Sequence, residues 1–208
     1  MKIGIMGGTF DPVHNGHLIL AEAALMQYHL DTVWFLPNGH PPHKQQNTIE
    51  CTIEDRIHML ELAIAKQPSF GLELYETQKT DIAFSADTLE YLARTHAKDH
   101  LYFIIGGDSL MTIESWVRPE DIFRYSTVLA TYRNELNTKE GLIRQISHLT
   151  ERYRGDIRLF ETPILPISSR ELRRQIRSGQ PVSGMLPPEV EAYIRKKGLY
   201  GARDSLSL

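Results

Sequence analysis

Six short runs rich in β-branched and aromatic residues constrain the fold most: Lys2 to Met6, Thr32 to Leu36, Leu72 to Tyr75, Leu101 to Ile105, Thr127 to Tyr132 and Ile157 to Phe160. Their length and composition predict strands. Segments of helical period separate them: Leu18 to Tyr28, Ile53 to Lys66, Ala86 to His96, Asp121 to Tyr125 and Gly141 to Tyr153. Thr52, three residues before Asp55, supplies a start signal for the second of these. A chain that alternates strand and helix pairs its strands in parallel through crossovers that cover both faces of an open sheet. The expected fold is thus α/β, a doubly wound, mostly parallel sheet with helices on both faces. Beyond Phe160 the pattern changes to Pro163-Ile164-Leu165-Pro166, a helix from about Ser168 to Arg177, and another from Pro187 to Lys197 with Gly198 as its stop. Residues 1–200 therefore read as one domain with a helical C-terminal end, and 201–208 as a loose polar tail.

A hydrophobic fraction of 41% and a formal charge of −3 exclude a disordered chain and a dedicated nucleic-acid binder. An anionic ligand must then be met by local geometry. Cys51 is the single cysteine, which excludes an internal disulfide framework and a multi-cysteine zinc site. The apolar stretch at Lys2 to Met6 is too short for a signal sequence or a membrane span. The expectation is a soluble, cytoplasmic protein without nucleic-acid or membrane partners, with a homo-oligomer left open.

In open parallel sheets ligands bind at the carboxyl ends of the strands. The first such end reads Gly7-Gly8-Thr9-Phe10-Asp11-Pro12-Val13-His14-Asn15-Gly16-His17 and runs into an apolar helix from Leu18. Paired glycines let the backbone approach a phosphate, and the helix start offers N–H groups and a positive dipole end. The pattern is neither a Walker sequence nor the three-glycine dinucleotide fingerprint. His14 and His17, three apart at a helix start, can face one phosphate and donate hydrogen bonds as charge builds there. Read singly they are ordinary loop and helix residues. A zinc pair would need a third ligand that nothing nearby supplies.

This stretch resembles the signature of the nucleotidyltransferase superfamily with a histidine-any-glycine-histidine motif, and the chain as a whole is similar to the bacterial nicotinate mononucleotide adenylyltransferases. The resemblance implies a Rossmann-like fold in which His14 and His17 stabilise ATP phosphates during transfer of AMP.

A second anion site lies at Ile167-Ser168-Ser169-Arg170-Glu171-Leu172-Arg173. Ser168 and Glu171 have capping-box spacing, and the first turn adds hydroxyls, N–H groups and Arg173. The segment is similar to the superfamily's Ile-Ser-Ser-Thr-any-Ile-Arg motif, with Arg170 where a hydroxyl residue commonly stands. Arg170, Arg174 and Arg177 read as a solvated face. The loop Asn38-Gly39-His40-Pro41-Pro42-His43-Lys44 follows the second strand, and its prolines stiffen the presentation of Lys44. After the fourth strand, Asp108 can accept ribose hydroxyls and Trp116 offers a flat face to a pyridine ring. By resemblance, Ser85 falls in a segment whose backbone meets the nicotinate carboxylate, although Phe84 and Ser85 replace the family's Tyr and Thr.

The resemblance thus assigns catalysis to His14, His17 and Arg173. To ATP it assigns Gly8, Thr9, Phe10, His14, His17, Gly106, Asp108, Ile167, Ser168, Ser169 and Arg173. The mononucleotide receives Asn38, Lys44, Ser85, Asp108, Trp116 and Arg133. No residue is assigned to a metal, and magnesium is expected to arrive with ATP. The implied partners are ATP and nicotinate mononucleotide. Three other readings remain at this stage: an adenylyltransferase acting on phosphopantetheine, a nucleotide sensor without turnover, and a nicotinamide-dependent dehydrogenase, which would need the missing three-glycine fingerprint.

Overall fold

The computed structural model describes residues 1–39, 49–132, 139–163 and 166–202. The tail beyond Ala202 lies outside the described residues. Six strands form one sheet: β1 (Lys2–Gly8), β2 (Thr32–Pro37), β3 (Phe70–Leu72), β4 (His100–Gly106), β5 (Thr127–Tyr132) and β6 (Ile157–Glu161). Their order is β3-β2-β1-β4-β5-β6, and every neighbouring pair is parallel. This is the Rossmann-like arrangement, and the order reverses direction between β1 and β4. At that switch the helices following the two strands leave to opposite faces and open a crevice above the carboxyl ends.

Eight helices cover the sheet: α1 (Asn15–Tyr28), α2 (Ile53–Ile64), α3 (Ser85–Thr95), α4 (Gly107–Thr112), α5 (Pro119–Tyr125), α6 (Lys139–Tyr153), α7 (Ser169–Arg177) and α8 (Pro188–Lys197). Strand residues alternate between two cores, because successive side chains point to opposite faces. Met6, Phe35 and Ile104 pack with α1, α2, α7 and α8, whereas Ile3, Ile5, Phe103 and Ile105 pack with α3, α4, α5 and α6. The inner strands β1, β4 and β5 are buried on both faces, as expected of a parallel sheet covered on both sides, whereas the edge strand β6 exposes Arg158. The helical C-terminal end therefore belongs to one of the two covering layers. None of the described helices is long and apolar enough to cross a membrane.

Local signals account for several helix ends. The Thr52 hydroxyl accepts the Asp55 N–H at 3.2 Å and caps α2, a contact worth about 1 kcal/mol. Gly198 ends α8 at φ 64°, in the left-handed region that glycine occupies without penalty. One strand differs from expectation. Leu72 to Tyr75 reads as a strand, but β3 ends at Leu72 and Tyr75 opens a 3-10 turn, Tyr75–Gln78. The Glu73 carboxylate accepts the Tyr75 N–H at 2.9 Å and turns the chain off the sheet edge.

Candidate active site

The turn after β1 is shaped by its own side chains. Phe10 adopts φ 51° and is buried, its ring lying so close beneath the turn that a Cβ on Gly8 would sit 2.8 Å from Phe10 Cζ. Glycine is required there by contact. The same ring meets His17 edge-on, with centroids 5.0 Å apart. His14 caps α1 and its backbone N–H donates to His17 Nδ1 at 3.2 Å. An Nδ1 that accepts leaves the ring proton on Nε2, so His17 is held as the tautomer that donates through Nε2. The two imidazoles stack at 3.6 Å with 22° between planes, His14 buried and His17 half-buried.

A cavity of about 520 Å³ opens at the β1–β4 switch. Its floor is Gly7, Gly8, Thr9 and His17, and Asn38 closes the β2 side. Ala83, Phe84 and Ser85 at the start of α3 form a third wall, and Gly106, Asp108 and Trp116 the fourth. Phe84 occupies the N-cap position of α3 and no side chain caps this helix. The first-turn N–H groups, Ser85 among them, are therefore available to an acceptor. Trp116 is half-buried and packs edge-on against Phe103 at 6.4 Å. The structure thus brings Gly8, Thr9, His17, Asn38, Ser85, Gly106, Asp108 and Trp116 together around one cavity. Lys44 and Arg133 lie outside the described residues.

The second predicted anion site stands behind the first. Ser168 caps α7 by accepting the Glu171 N–H, and Ser169 Oγ donates to the Pro12 carbonyl at 2.9 Å. Arg173 donates from Nη1 to the Asp11 carbonyl at 2.7 Å and from Nε to Glu50 at 3.0 Å. Ile167 reaches the same turn, its Cβ 3.8 Å from where a Cβ on Gly16 would be. None of Phe10, His14, Ile167, Ser168, Ser169 and Arg173 lines the cavity itself. They build the turn that carries His17. Of the solvated arginines, Arg174 pairs with Glu171 and Arg177 with Glu50. A second cavity, of about 340 Å³, lies between α7, α8 and the C-terminal end, and none of the predicted residues reaches it.

Arg56 braces the rim of the cavity, and no sequence motif singles it out. It is 2% exposed, and its Nη1 donates to the carbonyls of Thr9 at 2.8 Å and Asn38 at 2.9 Å, tying the ends of β1 and β2 together. Burial works against its charge, and the nearby Asp11 carboxylate counters that effect. The signal was present: Arg56 precedes Leu60 and Ile64 by four and eight residues, on the buried stripe of α2.

Asp11 gathers the rest of this shell, accepting from Tyr200 Oη at 2.7 Å and from the Glu50 N–H at 2.9 Å. Cys51 sits beside it, 8% exposed, and burial is the main cause pushing its thiol up to about 12. At pH 8 only on the order of one thiol in ten thousand is then ionised, and the thiolate is the nucleophile. Iodoacetamide at pH 8 is expected to leave Cys51 unmodified in the native protein and to alkylate it in urea. Native alkylation as fast as in urea would show the thiol to be open.

A cytidylyltransferase-like family model matches residues 5–175. A probable nicotinate-nucleotide adenylyltransferase of Lachnoclostridium phytofermentans is 40% identical over 199 residues, 96% of this chain and 98% of that one. The nicotinate-nucleotide adenylyltransferase of Bacillus subtilis is 35% identical with the same coverage. Among solved structures, Plasmodium falciparum nicotinic acid mononucleotide adenylyltransferase complexed with NaAD shares the fold, with a TM-score of 0.78 and 20% identity over 97% of this chain and 98% of that one. Relatives this similar over nearly the whole length, with a family model spanning both predicted anion motifs, leave one conclusion: the chain belongs to the nicotinate-nucleotide adenylyltransferase family of cytidylyltransferase-like enzymes.

Proposed function

We propose that this protein transfers AMP from ATP to nicotinate mononucleotide, giving nicotinate adenine dinucleotide and pyrophosphate in pyridine-nucleotide biosynthesis. The observation that carries this reading is the cavity at the β1–β4 switch, where the His17 donor, the uncapped start of α3 and the flat face of Trp116 meet. A phosphate oxygen of the mononucleotide attacks the α-phosphorus of ATP, the bond from that phosphorus to the bridging oxygen breaks, and pyrophosphate leaves. No protein nucleophile takes part. Catalysis is alignment of the two nucleotides plus stabilisation of the charge that builds on phosphate oxygens.

The roles divide by position. Gly7 and Gly8 admit the phosphates close to the backbone, and His17 donates to them through Nε2. His14 fixes the His17 ring by its backbone N–H. Ser168, Ser169 and Arg173 hold the turn from behind, Arg173 being the cation of that shell, with Lys44 as a further cation for the phosphates. Asp108 is the carboxylate on the cavity wall and suits ribose hydroxyls. Magnesium would suit this donor set as an ion carried on ATP and water; Asp108 would meet its hydration shell, and the ion would neutralise phosphate charge.

The deciding experiment is incubation with ATP, magnesium and a panel of mononucleotides, with the product identified by mass. Formation of nicotinate adenine dinucleotide is the expected result; dephospho-coenzyme A from phosphopantetheine, or no pyrophosphate at all, overturns the reading. Trp116→Ala is expected to raise the mononucleotide KM by about tenfold, the loss of one aromatic stacking contact of roughly 1.4 kcal/mol. The ATP KM should stay within about twofold. A variant that unfolds would instead assign Trp116 to the Phe103 core.

A further inference from the structure

Asn38 is held at three points. Its N–H donates to the Gly8 carbonyl at 2.9 Å, its carbonyl accepts from Arg56 at 2.9 Å, and its side-chain Nδ2 donates to Glu76 Oε2 at 2.8 Å. The third contact comes from the 3-10 turn beyond β3, and Glu76 is 2% exposed. That turn presses directly on the β2 end: a Cβ on Gly39 would sit 2.3 Å from the Glu76 carbonyl oxygen. The other carboxylate oxygen, Oε1, accepts from Thr88 Oγ1 at 2.8 Å. Thr88 is buried in the first turn of α3, and its own backbone N–H reaches the Phe84 carbonyl at 3.1 Å. One carboxylate therefore joins the Asn38 wall of the cavity to the Phe84–Ser85 wall.

The chemistry of that bridge is specific. Among the described residues Glu76 makes no salt bridge; burial pushes its carboxyl pKa up, and the Thr88 and Asn38 hydrogen bonds, with the charge of Lys79, work the other way and favour the carboxylate. An apolar side chain would fill the same space without the cost of removing a carboxylate from water. An ionised carboxylate accepts only, so the Asn38 amide must turn Nδ2 towards it. Oδ1 is then the atom the amide offers to the cavity, an acceptor matched to a hydroxyl donor of the substrate.

We propose that Glu76 is a positioning residue for the mononucleotide: its bridge between Asn38 and Thr88 sets the spacing of two cavity walls and fixes the polarity of the Asn38 amide. This rests on the adenylyl-transfer reading above. Glu76 touches no substrate and acts through Asn38, so its removal moves the mononucleotide KM while the ATP KM and kcat hold.

The test uses three variants of the full chain with ATP and nicotinate mononucleotide. Glu76→Leu removes both acceptors and is expected to raise the mononucleotide KM about tenfold, with the ATP KM within about twofold and kcat within about threefold. Thr88→Val removes one end of the bridge at nearly constant volume, with an expected rise of about threefold or more in the same KM. Glu76→Gln is expected to stay within about twofold of wild type, because its Oε1 can accept from Asn38 while its Nε2 donates to Thr88. Should Glu76→Leu fail to fold, the contrast between Glu76→Gln and Thr88→Val decides. A mononucleotide KM unchanged in Thr88→Val, or rising equally with the ATP KM, overturns the bridge. A wild-type protein that forms no dinucleotide removes the adenylyl-transfer reading and this inference with it; turnover by the wild type with flat variants removes the inference alone.

Discussion

Replacing His17 by alanine is expected to lower kcat by about 10²–10³ and to leave the fold in place, because it deletes one preorganised donor at the point where phosphate charge develops. The magnitude depends on preorganisation. His17 Nδ1 is engaged by the His14 N–H, Phe10 supports the ring edge, and the His14 ring stacks on it. The ring is thus held with its proton on Nε2 before ATP arrives, which limits the reorganisation needed during transfer. Side-chain loss costs little packing, since His17 is half-buried on the cavity wall. The measurement is steady-state pyrophosphate release together with a thermal melt. A kcat within threefold of wild type would show that the charge is met elsewhere, and a collapsed melt would place His17 in the structural shell with His14.

The enzyme should also prefer nicotinate mononucleotide to nicotinamide mononucleotide by at least about a hundredfold in kcat/KM, or roughly 2.7 kcal/mol of differential transition-state binding. The uncapped start of α3 supplies the reason. Phe84 at the N-cap position offers no acceptor to the first-turn N–H groups, and Ala83, Phe84 and Ser85 face the cavity opposite Trp116. A carboxylate presents acceptors alone and satisfies those donors. An amide places its NH₂ against them or leaves one unmatched, at about 1–3 kcal/mol per group. The positive end of the α3 dipole adds a further bias towards the anion. Steady-state rates with both mononucleotides give the ratio. A value near one, or a preference for the amide, would show that the α3 start does not read this group.

The sheet was legible because its inner strand runs are apolar on both faces and alternate with segments of helical period; β5 begins and ends where the run from Thr127 to Tyr132 does. The edge strand was placed two residues late at its start and three at its end, because Glu73 turns the chain through its side chain, a contact that alternation does not encode. Helix α4 was missed altogether: six residues opening on Gly107 carry too little periodicity to distinguish them from a turn. At the site, residues that line the cavity stood out because they belong to motifs at strand ends. Those that hold the motifs did not. Arg56 and Glu76 lie outside every motif, and their importance arises from contacts 47, 18 and 38 residues away along the chain. Arg56 left a trace as a charge on an apolar stripe; Glu76, in a short 3-10 turn, left none.

The hydrogen bond from Tyr200 to Asp11 joins residues 189 apart. With Ser169 on Pro12 and Arg173 on Asp11, it means that, Arg56 on Thr9 apart, the side chains named as bracing the first loop lie more than 150 residues further along the chain. Residues 2–161 contain all six strands and the whole glycine turn. That segment lacks the Ser169 and Tyr200 hydroxyls and the Arg173 guanidinium that hold the turn from behind, and closing so long a loop is slow relative to local folding. Competence for phosphate chemistry at this turn therefore depends on a docking event between segments far apart in sequence, and not on the formation of the glycine turn alone.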